Sequence, residues 1–151
     1  MSLLSLLLAA MAVALGACGG ADDRKEQNAY VREVNAAQTE FASSTTRISQ
    51  RTSPSGIGAY RRTLGRFQAS ITAFSATLSK ISVPEAVTDE HASLVAAVTS
   101  FAKDFKAIVA VLDNPTPRSL SEAQTEIMTA TQRANARIEA AAKSIDEKLG
   151  T

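Results

Sequence analysis

The sequence predicts an all-α fold, an antiparallel up-down-up-down four-helix bundle behind a cleaved leader. Three observations predict it. Prolines occur only at Ser53-Pro54-Ser55-Gly56, Val83-Pro84-Glu85 and Asn114-Pro115-Thr116-Pro117, and proline is poorly tolerated inside a helix. The breaks leave four segments of similar length, joined by short connections that favour antiparallel neighbours. Each segment repeats apolar residues in alternating steps of three and four, which lays them on one stripe of a helix and favours left-handed packing near about +20°.

The first element is the leader. Residues 3–17 are almost purely Leu, Ala, Val and Met. At about 1.5 Å per residue this run spans roughly 22 Å, short of the roughly 30 Å hydrocarbon core of a bilayer. A secretory h-region has this length and ends in small residues, so residues 1–17 read as a signal peptide. The residues ahead of it are Met1-Ser2, without Lys or Arg. Signal peptides carry positive charge there, which is consistent with a true start upstream of Met1.

The run closes on Leu15-Gly16-Ala17-Cys18, which contains the chain's only cysteine. This tetrad resembles the lipobox of bacterial lipoproteins. The resemblance implies diacylglycerol on the Cys18 thiol, cleavage between Ala17 and Cys18, and a mature protein held outside the cytoplasm on the bacterial cell membrane. Two acyl chains suffice for stable anchoring, at about 0.8 kcal/mol per buried CH₂. Residues 18–23 follow as a short tether, and 24–151 form one domain.

Composition narrows the function. With Cys18 lipidated the domain has no disulfide and is held by its core. The 16 basic and 15 acidic residues nearly balance, so no overall field points to nucleic acid.

Helices are expected at about 24–52, 56–82, 85–113 and 118–149. Their stripes are Tyr30, Val34, Ala37, Phe41, Ser44 or Thr45, and Ile48; then Ile57, Tyr60, Leu64, Phe67, Ile71, Phe74, Leu78 and Ile81; then Val87, His91, Leu94, Val98, Phe101, Phe105, Ile108 and Leu112; and finally Leu120, Ala123, Ile127, Ala130, Ala134, Ile138, Ala141 and Ile145. The phenylalanines lie on the first three helices and the fourth offers mostly alanine, so large side chains face small ones and leave little void. Gly65 is the one glycine deep inside a helical run. It lies off the stripe and costs about 1 kcal/mol against alanine.

No catalytic constellation is visible. A di-metal bundle site needs inward carboxylates and Glu-x-x-His pairs, whereas no Asp or Glu lies on a stripe and the chain has one histidine. Covalent haem would need Cys-x-x-Cys-His. His91 and Met128 would lie roughly 15 Å apart along the bundle and cannot share an iron. There is no G-x-S-x-G elbow and no glycine-rich phosphate loop. The expectation is a non-enzyme with no cofactor and no metal. His91 itself reads as a partly exposed, hydrogen-bonded residue of an end layer.

One charge pattern stands out. Arg47, Arg51, Arg61, Arg62 and Arg66 fall within twenty residues that contain no acid. They bracket the first turn, paired in part with Asp113 or Glu122. With a short tether the first helix runs outward from the membrane, so these arginines lie at the far end, where an anionic envelope polymer or an acidic protein could dock. The start Tyr30-Val31-Arg32-Glu33-Val34-Asn35 and the step from Pro84 to His91 resemble small helical lipoproteins of high-GC bacteria. That resemblance implies fold and location only. The expected function is a lipid-anchored envelope protein with a non-catalytic helical binding module. The alternatives are a solute-binding helical lipoprotein and a structural envelope spacer.

Overall fold

The computed structural model describes residues 21–51, 56–113 and 115–150. They are all-helical, with four long helices: α1 (Ala21–Gln50), α2 (Ile57–Leu78), α3 (Thr88–Val111) and α4 (Pro117–Leu149). A single 3₁₀ turn, Glu85–Val87, leads into α3. Among the described residues no helix is long and apolar enough to cross a membrane. The leader and its cysteine, Ala17 and Cys18 included, lie outside the described residues.

Each boundary has a local cause. In α1, Asp22 and Asp23 stand in the first turn and Arg47 in the last, complementing the helix dipole at both ends. The helix starts at Ala21, so residues 21–23, expected as tether, are its first turn. Gly56 caps α2 at φ 91°, a conformation that suits glycine. The expected second helix runs to about residue 82, but α2 ends at Leu78. The backbone N–H groups of Lys80 and Ile81 bond to carbonyls three residues back, which tightens the last turn, and Pro84 then holds Val83 out of the helical region. The third segment opens with the 3₁₀ turn, in which the Val87 N–H donates to the Pro84 carbonyl; the Thr88 hydroxyl donates to the Pro84 and Glu85 carbonyls. The start of α4 is a capping box. Thr116 Oγ1 accepts from the Ser119 backbone N–H while Ser119 Oγ accepts from that of Thr116, so two otherwise unpaired donors are satisfied. Gly150, at φ 71°, closes the other end in the left-handed conformation.

The helices are rich in Ser and Thr, which are ordinarily neutral to unfavourable there. Many of these hydroxyls donate to the carbonyl four residues back, among them Thr39, Thr63, Thr72, Thr125 and Thr131. This bond satisfies the side chain without breaking the backbone ladder.

The core follows the stripes. From Val87 to Leu112 all eight stripe residues of the third segment are buried, His91 among them. The fourth helix contributes Ala123, Ala130, Ala134, Ala141 and Ile145, with Leu149 beyond them, to the same core cluster as Phe101 and Phe105 of α3; Ala130 and Ala134 line one cleft with Phe101. Phe41 and Phe74 stack with centroids 4.8 Å apart. Ile57 is a correction: it is 41% exposed, as the first residue of α2. Ser70, Ala97 and Ala102 are buried although they lie beside the stripes.

Close backbone approach joins α1 to α2, α2 to α3 and α3 to α4, most extensively in the last pair. Specific contacts tie them: Ser44 to Ser70, Ser75 to Thr99, Arg61 to Asp113, Asp104 to Arg133 and Glu90 to Lys148.

Candidate functional site

All five arginines of the expected patch are exposed. The stretch from Phe41 to Pro84 contains no acidic residue, and α2 has none in its first turn, while the cap at Gly56 supplies no side-chain acceptor. Arg61 is the one with a carboxylate: its guanidinium lies 2.8 Å from Asp113 at the end of α3, with both side chains about half exposed. A pair so exposed contributes little, about 0–1 kcal/mol. Glu122 pairs instead with Arg118, one turn away on its own helix. Arg47, Arg51, Arg62 and Arg66 have no carboxylate partner among the described residues.

The arginines divide by helix face. Ser44 of α1 and Ser70 of α2 meet across the α1–α2 seam at 3.0 Å. Arg47 and Arg51 stand three and seven residues beyond Ser44, and Arg66 and Arg62 four and eight residues before Ser70. Helical spacing places these four on the outer side of that seam. Arg61 turns the other way, to α3.

Tyr30 of α1, Leu78 of α2, Glu90 and His91 of α3 and Lys148 of α4 form a second polar group. His91, 6% exposed, is buried rather than partly exposed as its end-layer position suggested. Its Nε2 lies 3.1 Å from the Leu78 carbonyl oxygen and its Nδ1 3.1 Å from the Tyr30 hydroxyl. A carbonyl only accepts, so Nε2 carries the proton and donates to it; Nδ1 then accepts from Tyr30. One neutral imidazole thus joins α1, α2 and α3. Burial pushes the imidazole below its usual pKa, against the opposing pull of the bond to Leu78. The Tyr30 hydroxyl is pushed up to about 12, first by burial and then by the negative charges of Asp146 and Glu90. Beside them Lys148 donates to Glu90 Oε1 at 2.8 Å. That bond holds the carboxyl below its ordinary pKa and the ammonium above its own. Glu90 Oε2 is buried without a hydrogen bond.

Two open grooves of about 520 Å³ flank α3. One runs from Ile81, Val83 and His91 past Val95 to Lys103. The other, beside α4, is lined by Glu90, Ala96, Ala97, Arg137 and Ala141. Among the described residues no cluster of His, Cys, Asp and Glu is placed to hold a metal ion. Comparison with protein-family models, with curated proteins and with solved structures finds no match to this chain.

Proposed function

We propose that this chain is a bacterial lipoprotein, anchored outside the cytoplasm through Cys18, whose helical domain is a non-catalytic module for an anionic partner in the cell envelope. The anchor rests on one observation, the apolar run closing on Leu15-Gly16-Ala17-Cys18. We further propose that the four helices form an antiparallel up-down-up-down bundle. The cross-helix partners support this. From Ser44–Ser70 to Phe41–Phe74, one number falls as the other rises, and the same holds from Arg61–Asp113 to Ser75–Thr99 and from Asp104–Arg133 to Glu90–Lys148.

In that arrangement the start of α1, the turn at Pro84 and the end of α4 share the membrane-near end. Thirty residues of α1 carry the chain about 45 Å outward. The far half then carries Arg47, Arg51, Arg61, Arg62, Arg66, Lys103, Lys106, Arg118 and Arg133 against Asp104, Asp113, Glu122 and Glu126, and the near half is net acidic. A molecule polarised this way presents positive charge away from its own membrane. The core beside α4 is filled by alanine against phenylalanine, which favours a docking module over an enclosed ligand cavity.

The test of the anchor is labelling of the full chain with radioactive palmitate in a bacterial host. Label is expected in the membrane fraction and absent from Cys18→Ser. A wild-type chain that matures without label would refute the anchor. For the partner, wild-type protein is expected on anionic wall material at low salt, with retention lost when Arg61, Arg62 and Arg66 become Gln; unchanged retention would refute the patch.

A further inference from the structure

Four of the arginines form a more specific surface than the patch as a whole, and it rests on the antiparallel reading of α1 and α2. With Ser44 level with Ser70 and Phe41 level with Phe74, Arg47 comes level with Arg66, and Arg51 with Arg62. Two tiers of facing arginine positions result. Their backbones lie about 6 Å apart along the helices, on axes that for packed helices are about 8–10 Å apart, and the Arg62 side chain reaches back over Gly58. All four are exposed. Like charges set opposite one another across a seam repel, and no carboxylate of the described chain offsets them.

We infer that this double row binds a linear phosphate polymer lying along the α1–α2 seam. Three features favour that occupant. First, charge complementarity: the seam is bordered by an acid-free stretch from Phe41 to Pro84. Its cations before Lys80 are all arginines, whose planar forks pair with two oxygens of one phosphate. Second, the charges are spread. A single phosphate meets one tier, whereas a chain of phosphates meets both, and linked contacts gain by effective concentration. Third, the seam lacks what a folded protein partner needs. Interfaces between proteins centre on buried aromatic or aliphatic anchors. The large apolar residues exposed among the described ones are Ile57, Val111 and Met128; the last two are on α3 and α4, and Ile57 stands one turn before Arg61 on the α3 side. No aromatic side chain is fully exposed on the seam to stack a nucleic-acid base.

The experiment measures binding of the full chain, purified in detergent, to long-chain sodium polyphosphate across a range of salt. Poly-L-glutamate and inorganic monophosphate serve as competitors. Affinity is expected to fall with salt at a log–log slope of about −3, as for roughly four ionic contacts. Each of Arg47→Gln, Arg51→Gln, Arg62→Gln and Arg66→Gln is expected to reduce that slope by about 1. The fourfold variant loses binding while its helical circular dichroism and melting temperature are retained. Arg61→Gln, on the other face, changes affinity less than about twofold, and monophosphate does not compete. Equal or tighter binding of poly-L-glutamate would overturn the inference in favour of an acidic protein. An Arg61→Gln loss as large as that of Arg62→Gln would overturn it in favour of diffuse charge, and absence of polyphosphate binding at low salt would overturn it outright. The palmitate label on Cys18 is read separately, so a failed anchor and a failed seam are distinct results.

Discussion

Acidification from about pH 7.5 to about pH 5.5 is expected to destabilise this domain through one residue. His91 is the only histidine in the chain and is held neutral between the Leu78 carbonyl and the Tyr30 hydroxyl. Protonation at Nδ1 would aim a second donor at Tyr30. The hydroxyl would have to turn its own proton away, in a buried site whose burial already disfavours the charged ring. The folded-state pKa is therefore below the usual 6.5 or so of the unfolded chain. The sign follows: stability is complete above about pH 6.5, because neither state binds the proton there. As pH falls below that value the unfolded chain binds it and the folded one does not. The loss stops once pH is below the folded-state value. Its slope is at most about 1.4 kcal/mol per pH unit, so between about pH 6.5 and 5.5 the domain loses at most about 1.4 kcal/mol. At about 3–5 °C per kcal/mol for a domain this size, the melting temperature falls by no more than about 4–7 °C.

Thermal unfolding by circular dichroism in matched ionic strength measures this, with His91→Leu as control. The variant is less stable at about pH 7.5, by about 2–4 kcal/mol, because the Tyr30 hydroxyl and Leu78 carbonyl lose their partner inside the protein. Between about pH 7.5 and 5.5 its stability is flat. A variant with the same pH slope as wild type would refute the assignment, as would a wild type with no slope. Glu90 enters at lower pH. Its carboxyl is held down by Lys148, so its contribution is present above the ordinary carboxylate pKa and is lost as pH falls through the folded-state value, clear of the histidine window.

Two other predictions concern the helices alone. A Cβ at Gly65 would meet nothing within 4 Å, so Gly65→Ala removes backbone freedom from the unfolded chain and is expected to stabilise by about 0.5–1 kcal/mol in chemical denaturation; a loss would expose a close contact there. Thr116→Ala removes the acceptor for the Ser119 N–H and is expected to cost about 0.5–2 kcal/mol. Thr116→Ser restores most of it, and equal stability of all three would show that the cap is not formed.

What the sequence made legible was whatever depends on local period. The stripe from Val87 to Leu112 could be read because each residue's neighbours lie one turn away, and its burial follows from that geometry alone. Ser70, Ala97 and Ala102 were not legible. They flank their stripes, and they are buried only because the facing helix comes close enough to cover a small side chain. Helix ends were blurred where turn chemistry competes, as at Leu78, where a tightened last turn stops α2 well before Pro84. His91 could be placed at a bundle end, but its burial depends on Tyr30, which lies 61 residues away. The arginines were visible as a run, but their division between two faces required the Ser44–Ser70 contact to locate the seam and Asp113 to claim Arg61.

The same contacts rank the helices by how firmly each is held, and this gives a last prediction. α3 approaches both α2 and α4, most closely α4, where Ala130 and Ala134 lie beside Ala97 and Phe101. α1 approaches mainly α2, and much of what fixes it is polar: Ser44 to Ser70, and Tyr30 to His91. Thr45 is buried in its seam where the other helices place aliphatic or aromatic groups. Net hydrogen bonds contribute about 0.5–1.5 kcal/mol each, less than a fully buried aliphatic side chain at about 1.5–3 kcal/mol. α1 is therefore the element that opens at lowest free energy, in a sub-global step that leaves α3 and α4 paired. Native-state amide hydrogen exchange is expected to show α1 core amides around Val34 and Ala37 exchanging at least tenfold faster than those around Val98 and Phe101. Acidification to about pH 5.5 widens that gap in wild type but not in His91→Leu, because the histidine bond ties α1 to α2 and α3. Protection of α1 equal to that of α3 would refute the ranking. A gap that widens equally in the variant would remove His91 from the opening step.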